Sequence, residues 1–186
     1  MSYLDVHANA ESILSRWSPP TNDQSSLRYA YLTHLRSDRH AVERSCAAGH
    51  LTASTLLCDS TGRRTLLTLH PRVGRWLQLG GHCEPSDTSL VEAALREATE
   101  ESGIEELQID PIPLRLHVHP LTCSGGVPTH HLDVQFLATA PAGSRAVMSA
   151  ESLDLKWFDF DALPDDADDA VRALVTEADR RLKRIA

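Results

Sequence analysis

Three glutamates, Glu97, Glu100 and Glu101, fall within the run Arg96-Glu97-Ala98-Thr99-Glu100-Glu101-Ser102-Gly103. Their i, i+3, i+4 spacing places them on one face of a helix. Like charges at that spacing repel, by on the order of tenths of a kcal/mol per pair. They also crowd the C-terminal end of the helix, where the macrodipole is already negative. Gly103 supplies the stop signal beyond them. Helix-building rules are thus broken where a function would require it. A hard divalent cation such as Mg²⁺ or Mn²⁺ reverses the conflict, because carboxylate oxygens are its natural ligands. The opposite face is ordinary: Val91, Ala94, Leu95 and Ala98 form an apolar stripe for a core. Ahead of the helix, Gly80-Gly81 is a backbone turn that side chains cannot obstruct. Pro85, Ser86 and Asp87 read as loop, with Ser86 or Asp87 expected to cap the helix.

Residues 80–104 resemble the Nudix box, in which Gly, five residues, Glu and seven residues precede Arg-Glu-apolar-x-Glu-Glu-x-Gly-apolar. Gly81 matches the opening Gly; Arg96, Glu97, Ala98, Glu100, Glu101, Gly103 and Ile104 match the second half. Asp87 stands where the family has its first Glu, and eight residues rather than seven separate it from Arg96. In the family that acid supports the loop and pairs with the Arg, so the departure bears on loop geometry and not on the metal ligands.

The resemblance covers about residues 48–180. It implies an α+β fold, the Nudix α/β/α sandwich with a mixed β-sheet; periodicity alone gives only α+β. It implies a divalent cation, Mg²⁺ or Mn²⁺, held by Glu97, Glu100 and Glu101 with the carbonyl of Gly80. The implied reaction is hydrolysis of a diphosphate linkage, in a nucleoside diphosphate joined to another group (ADP-ribose-like) or in a nucleoside triphosphate. Glu100 and Glu101 are the candidate catalytic carboxylates in the box. Glu151, just before a late strand, is placed like the loop Glu that such enzymes recruit as a base; its bland reading is an exposed loop carboxylate. Arg96, Asp87, Gly81 and Gly103 are supports. Arg96 is expected to point away from the glutamate face and to pair with Asp87 or Glu100. His82 lies beside the turn and is a candidate contact for phosphate or for the cation's water. Glu84 could support the metal from behind its ligands. The alternative is a catalytically inactive Nudix domain that senses a nucleotide. Such domains usually lose box glutamates, and all three remain here. Family members often dimerise, so a homodimer is the implied assembly.

His117, His119, Cys123, His130 and His131 lie close in sequence and raise zinc as a second possibility. The spacing argues against it. His117 and His119 share one strand face, His130 and His131 point to opposite faces, and neither CxxC nor HExxH occurs. Cys83 reads as a small packed residue, having no evident base partner.

These groups must be carried by a sheet and a few helices. Residues 4–17 hold Val6, Ala10, Ile13, Leu14 and Trp17 at helical spacing, ended by Pro19-Pro20. Thr21-x-x-Gln24 resembles a capping box opening a second helix with Leu27, Tyr31, His34 and Leu35. Residues 1–47 form a helical extension too small for its own core, read as a cover over the sheet in preference to a dimer arm or lid. Residues 48–186 form the catalytic unit. There, residues 50–58 and 64–69 make a hairpin, and residues 76–79 a short strand leading to Gly80. Residues 107–109 and 114–118 are strand candidates interrupted by Pro111 and Pro113. Residues 122–128 are loop, 131–138 and 155–158 strands, and about 168–183 a last helix whose Asp cluster suits its N-terminus.

The chain has 186 residues, 41% apolar and 24% charged, with a formal net charge of -8. Such an acidic balance disfavours sequence-independent nucleic-acid binding, which needs Lys and Arg on phosphates. No apolar run approaches the roughly 20 residues of a membrane span, and the N-terminus lacks signal-peptide character. The expected partner is a small nucleotide-type substrate, with neither nucleic acid nor membrane. The four scattered cysteines, Cys46, Cys58, Cys83 and Cys123, read as free thiols of a cytoplasmic protein.

Overall fold

Where the sequence has period two it forms strand, and where it has period 3.6 it forms helix. In the computed structural model, which describes residues 2–122, 126 and 128–185, two helices come first: α1 (Tyr3–Arg16) and α2 (Asn22–Ser37). The strands β1 (His50–Cys58), β2 (Arg64–Leu69), β3 (Trp76–Leu77) and β4 (Leu79–His82) then lead to α3 (Leu90–Ser102). The chain continues through β5 (Gln108–Thr122), β6 (Pro128–Thr139) and β7 (Asp154–Asp159) to α4 (Asp169–Ile185). The expected loop at residues 122–128 falls largely outside the described residues, as does Cys123.

The strands join in one seven-stranded mixed sheet, ordered β3-β2-β1-β6-β5, with β4 on β1 and β7 on β2. β1 is its hub. The C-terminal end of β1 pairs antiparallel with β2, its N-terminal half antiparallel with β4, and its whole length parallel with β6. Side chains of β1 therefore sort by parity onto two faces. Leu51 and Ala53 face one core with Val6, Leu14, Tyr31, Leu35, Ala94, Val134 and Phe136. Leu56 and Cys58 face another with Leu174, Val175 and Ala178 of α4. The result is an α/β/α sandwich of α+β class, with α1, α2 and α3 on one side and α4 on the other.

Four local expectations meet a different outcome. Residues 76–79 do not form one strand: Trp76–Leu77 pairs with β2, and Leu79–His82 moves over to β1. Pro111 and Pro113 do not break the strand; they sit where the β5–β6 register shifts, between Asp110 and Arg115, and a bulge tolerates their missing N–H. Ser89, not Ser86 or Asp87, caps α3, its Oγ accepting from Glu92 N–H at 3.0 Å. Only half of the Thr21 capping box forms: Thr21 Oγ1 accepts from Gln24 N–H at 3.3 Å. The Gln24 side chain instead reaches β5, donating to the Leu116 carbonyl at 3.0 Å and accepting from its N–H at 2.7 Å. Tyr31 likewise donates to the carbonyls of His117 and Asp133 at 2.8 and 3.1 Å. The N-terminal helices are thus tied to the sheet backbone as well as packed on it.

Candidate active site

The site is built where α3 crosses β4. Gly81 faces the helix: a Cβ there would stand 2.7 Å from all three atoms of the Glu97 carboxylate. Gly80 faces β1: with φ +150° its Cβ would lie 2.4 Å from Ser54 Cβ and 2.5 Å from Ser54 Cα. The strand and the helix approach this closely because both residues lack side chains. Gly80 then donates its N–H to Glu101 Oε2 at 2.8 Å. Gly103 ends α3 in the left-handed region, φ 65°.

Arg96 ties the loop to the helix. Its Nε and Nη2 hold Asp87 Oδ1 and Oδ2 at 3.0 and 3.1 Å, a bidentate fork. Nη2 also donates to the His82 carbonyl at 2.9 Å. Nη1 reaches Glu97 at 3.0 Å and Glu100 at 3.2 Å. The guanidinium therefore meets the glutamate face, contrary to the expectation that it points away, because Asp87 sits at that edge of the helix. Asp87 is buried and also accepts from Glu84 N–H at 2.7 Å. The shorter acid and the longer loop of this variant still reach the Arg.

The electrostatics are unbalanced toward negative charge. Burial pushes Glu101 up to about 7; the Gly80 N–H opposes this, while Glu97, Glu151 and Glu100 add to it. Burial likewise raises Glu97, against the pull of Arg96 and with Glu100 and Glu151 adding. Arg96 itself is desolvated, yet Asp87 and Glu97 outweigh that and hold it protonated. Glu151 thus lies near enough for its charge to act on both box glutamates. Its loop is docked on the end of α3: Val147 N–H donates to the Ser102 carbonyl at 2.7 Å. Glu151 itself is exposed, its N–H on Ser149 Oγ at 3.3 Å.

The donor set fits a hard divalent cation. It offers carboxylate oxygens only, and two of the three carboxyls are raised by burial and by one another, a conflict that a positive ion relieves. The three are not drawn together, since Glu97 and Glu100 lean toward Arg96 and Glu101 toward Gly80.

Strand alternation takes the His82 ring away from the glutamates. Gly81 faces α3, so His82 faces the opposite side, with His50 of β1 and His131 of β6. Sequence reasoning missed that face. Beside the histidines, Asp133 accepts from Thr52 Oγ1 (3.1 Å), Ser54 Oγ (2.6 Å), Gln78 Nε2 (3.3 Å) and Gln135 Nε2 (3.1 Å). The alternation of His50, Thr52 and Ser54 with Leu51 and Ala53 announces a polar strand face. The parallel pairing that sets it beside His131, Asp133 and Gln135 has no local signal. Burial lowers His82 to about 4, with His50 and Arg44 adding. Burial lowers His131 to about 3, with His82, His119, His50 and Arg44 adding. Burial raises the thiols of Cys58 and Cys83 to about 12, which leaves both unreactive. Cys46, Cys58 and Cys83 are free.

Residues 49–178 match the NUDIX domain. No curated protein matches the chain significantly by sequence. Among solved structures, a NUDIX-family hydrolase from Clostridium perfringens is similar at TM-score 0.56 and 26% identity, over 72% of this chain and 97% of that one. An Ap4A hydrolase from C. elegans has TM-score 0.56 and 21% identity over the same shares. The dihydroneopterin triphosphate pyrophosphohydrolase of E. coli has TM-score 0.55 and 20% identity, over 68% and 92%. The likeness to these last two is one of fold.

Proposed function

The chain belongs to the Nudix family, and on that premise we propose that it is a divalent-cation-dependent hydrolase of a diphosphate linkage in a nucleotide-type small molecule. The proposed substrates are a nucleoside diphosphate joined to another group, ADP-ribose-like, or a nucleoside triphosphate. We assign residues 48–186 as the hydrolase domain and residues 1–47 as a helical extension laid on it. The observation that carries the reading is the packing of Glu97 and Glu101 against the Gly80–Gly81 pair of β4, where a Cβ at either position would meet atoms within 2.7 Å.

In this reading Glu97, Glu100 and Glu101, with the Gly80 carbonyl, hold Mg²⁺ or Mn²⁺. Once bound, the cation supplies charge neutralisation for the diphosphate and acidification of a water. The residues of the chain do the rest. Arg96 and Asp87 lock the loop to α3, so the glutamates are fixed before substrate arrives. A glutamate of the box, Glu100 or Glu101, is one candidate general base; burial raises Glu101 to about 7 in the metal-free protein, and a bound cation opposes that rise. Glu151 stands on a docked loop beside the same carboxylates and is the second candidate base.

The test is a panel of ADP-ribose, dinucleoside polyphosphates and nucleoside triphosphates with Mg²⁺ or Mn²⁺, followed by phosphate or nucleoside monophosphate release. Turnover that chelation abolishes is the expected result. Nucleotide binding without turnover of any panel member would overturn hydrolysis in favour of a sensing domain.

A further inference from the structure

On the face of β4 turned away from the glutamates, five imidazoles touch in series. His117 stacks on His119 (centroids 5.5 Å), His119 meets His131 edge-on (5.0 Å), and His131 meets both His50 (4.9 Å) and His82 (4.8 Å). Within this series, ring nitrogens of His50, His82 and His131 all lie within 4.8 Å of one another. Among the described residues they are the one such set of three. They come from three paired strands: His50 sits opposite His131 in the β1–β6 ladder, and His82 opposite Thr52 in the β1–β4 ladder. Rigid strands, not loops, position all three rings.

Two details are those of a ligand set. First, His50 is fully buried, and its Nδ1 lies 3.3 Å from the Cys46 carbonyl. That contact places the proton on Nδ1 and leaves Nε2 a bare lone pair. His50 Nε2 is buried with no hydrogen-bond partner, an uncompensated desolvation unless something else meets it. A carbonyl behind Nδ1 with a free Nε2 is how proteins orient an imidazole for a metal. Second, His82 Nε2 and His131 Nε2 are 3.2 Å apart. Two nitrogens bound to one tetrahedral Zn²⁺ at 2.0–2.1 Å stand about 3.3–3.4 Å apart. In the metal-free protein one of these rings donates to the other. On metal binding that proton moves to the ring's Nδ1, and both Nε2 atoms become donors of electron pairs.

We infer that His50, His82 and His131 form a second metal site, selective for a borderline cation such as Zn²⁺ and separate from the carboxylate site. Imidazoles suit Zn²⁺, whereas Mg²⁺ requires oxygen. The two chemistries are therefore sorted onto opposite faces of one four-residue strand. Three protein ligands leave the fourth tetrahedral position for solvent or an anion.

The test is Zn²⁺ titration of the chelator-stripped full chain against a chromogenic chelator, in excess Mg²⁺, with Co²⁺ absorption reporting tetrahedral geometry. The native protein, the double variant Glu97→Gln/Glu101→Gln and His130→Gln should each bind a single equivalent. His130 neighbours His131 but is exposed on the other face. His131→Gln should weaken binding by more than about 100-fold, since losing even the partner behind a ligand costs about 10–100-fold. His50→Gln should do the same; if that buried variant fails to fold, His82→Gln and His131→Gln, checked by thermal melts, decide. Binding that survives His131→Gln, that disappears in the double Glu variant, or that is missing from the folded native protein would overturn the site.

Discussion

The carboxylate of Glu101 accepts the N–H of Gly80 at 2.8 Å. The helix face bearing the glutamates is thereby fastened to the glycine pair of β4 that lies under it. This contact ties the raised acid to the strand whose Gly80 carbonyl is a candidate metal ligand.

Glu101→Gln and Glu100→Gln should each lower kcat by about 10²-fold or more, the scale of losing several kcal/mol of charge stabilisation. Glu100 is exposed, so its variant should melt with the native protein. Steady-state kinetics beside thermal melts check this, and near-native turnover in either variant would remove that residue from the ligand set.

The pH dependence of stability has a definite sign. Glu101 has an ordinary value of 4.5 and about 7 in the fold, so the folded state holds its proton more tightly. Its contribution to stability is complete below about 4.5 and is lost as pH rises through about 7. Glu97 is raised in the same direction. Chelated protein should therefore lose Tm between pH 5 and 8 by this route, and Glu101→Gln should flatten the loss. Because Mg²⁺ competes with the proton, its Tm increment should grow across the same window. Melts with EDTA or Mg²⁺ at several pH values measure both.

The two glycines of β4 should respond differently to alanine. At Gly80 a Cβ meets backbone, Ser54 Cα at 2.5 Å and the Ala53 carbonyl at 2.7 Å, so Gly80→Ala should destabilise the fold by about 1–3 kcal/mol or more. At Gly81 it meets the end of a side chain, Glu97. Gly81→Ala should stay folded but displace Glu97, with kcat falling far more than Tm. Chemical denaturation and kinetics on the pair separate the cases.

Arg96→Ala strands the buried Asp87 carboxylate and should cost about 3–5 kcal/mol. Arg96→Lys keeps the charge but loses the fork, and should fall between. The double variant Arg96→Ala/Asp87→Asn should recover part of the loss in a double-mutant cycle.

Gln24→Leu leaves the N–H and carbonyl of Leu116 without their partners. A loss of about 1–3 kcal/mol for each unsatisfied group is expected. Loosening of residues 1–47 should appear as faster amide exchange at Leu116. Unchanged exchange there would mean that the extension contributes little to the sheet.

What could be read in the sequence was local. The glutamate spacing and the apolar stripe of α3 each follow from a rule that spans a few residues, and α3 runs to Ser102 as its pattern requires; Gly80-Gly81, expected as a turn, is instead strand, paired with Ser54 and Ala53 of β1. The helix end near Arg16 and the β1–β2 hairpin were legible for the same reason, whereas nothing local marked the end of α2 at Ser37. The position of Arg96 was not, because it depends on where the loop returns Asp87. The histidines were read as neighbours in sequence, and of these His117, His119 and His131 meet in space. His131 finds its partners at positions 50 and 82, through two ladders that no local pattern encodes.

One property of β1 reaches into how the molecule is made. Its parallel ladder with β6 joins His50 to His131 and Cys58 to Thr139, across 81 positions of chain (131 − 50). Closing so long a loop is entropically costly, and such pairings lag behind local ones. The β1–β2 hairpin and α3 can assemble while β6 is still being synthesised, whereas the imidazole trio cannot exist before the ribosome has passed residue 131. The carboxylate centre, spanning residues 80–101, is early and short-range; the histidine face is a late product of folding.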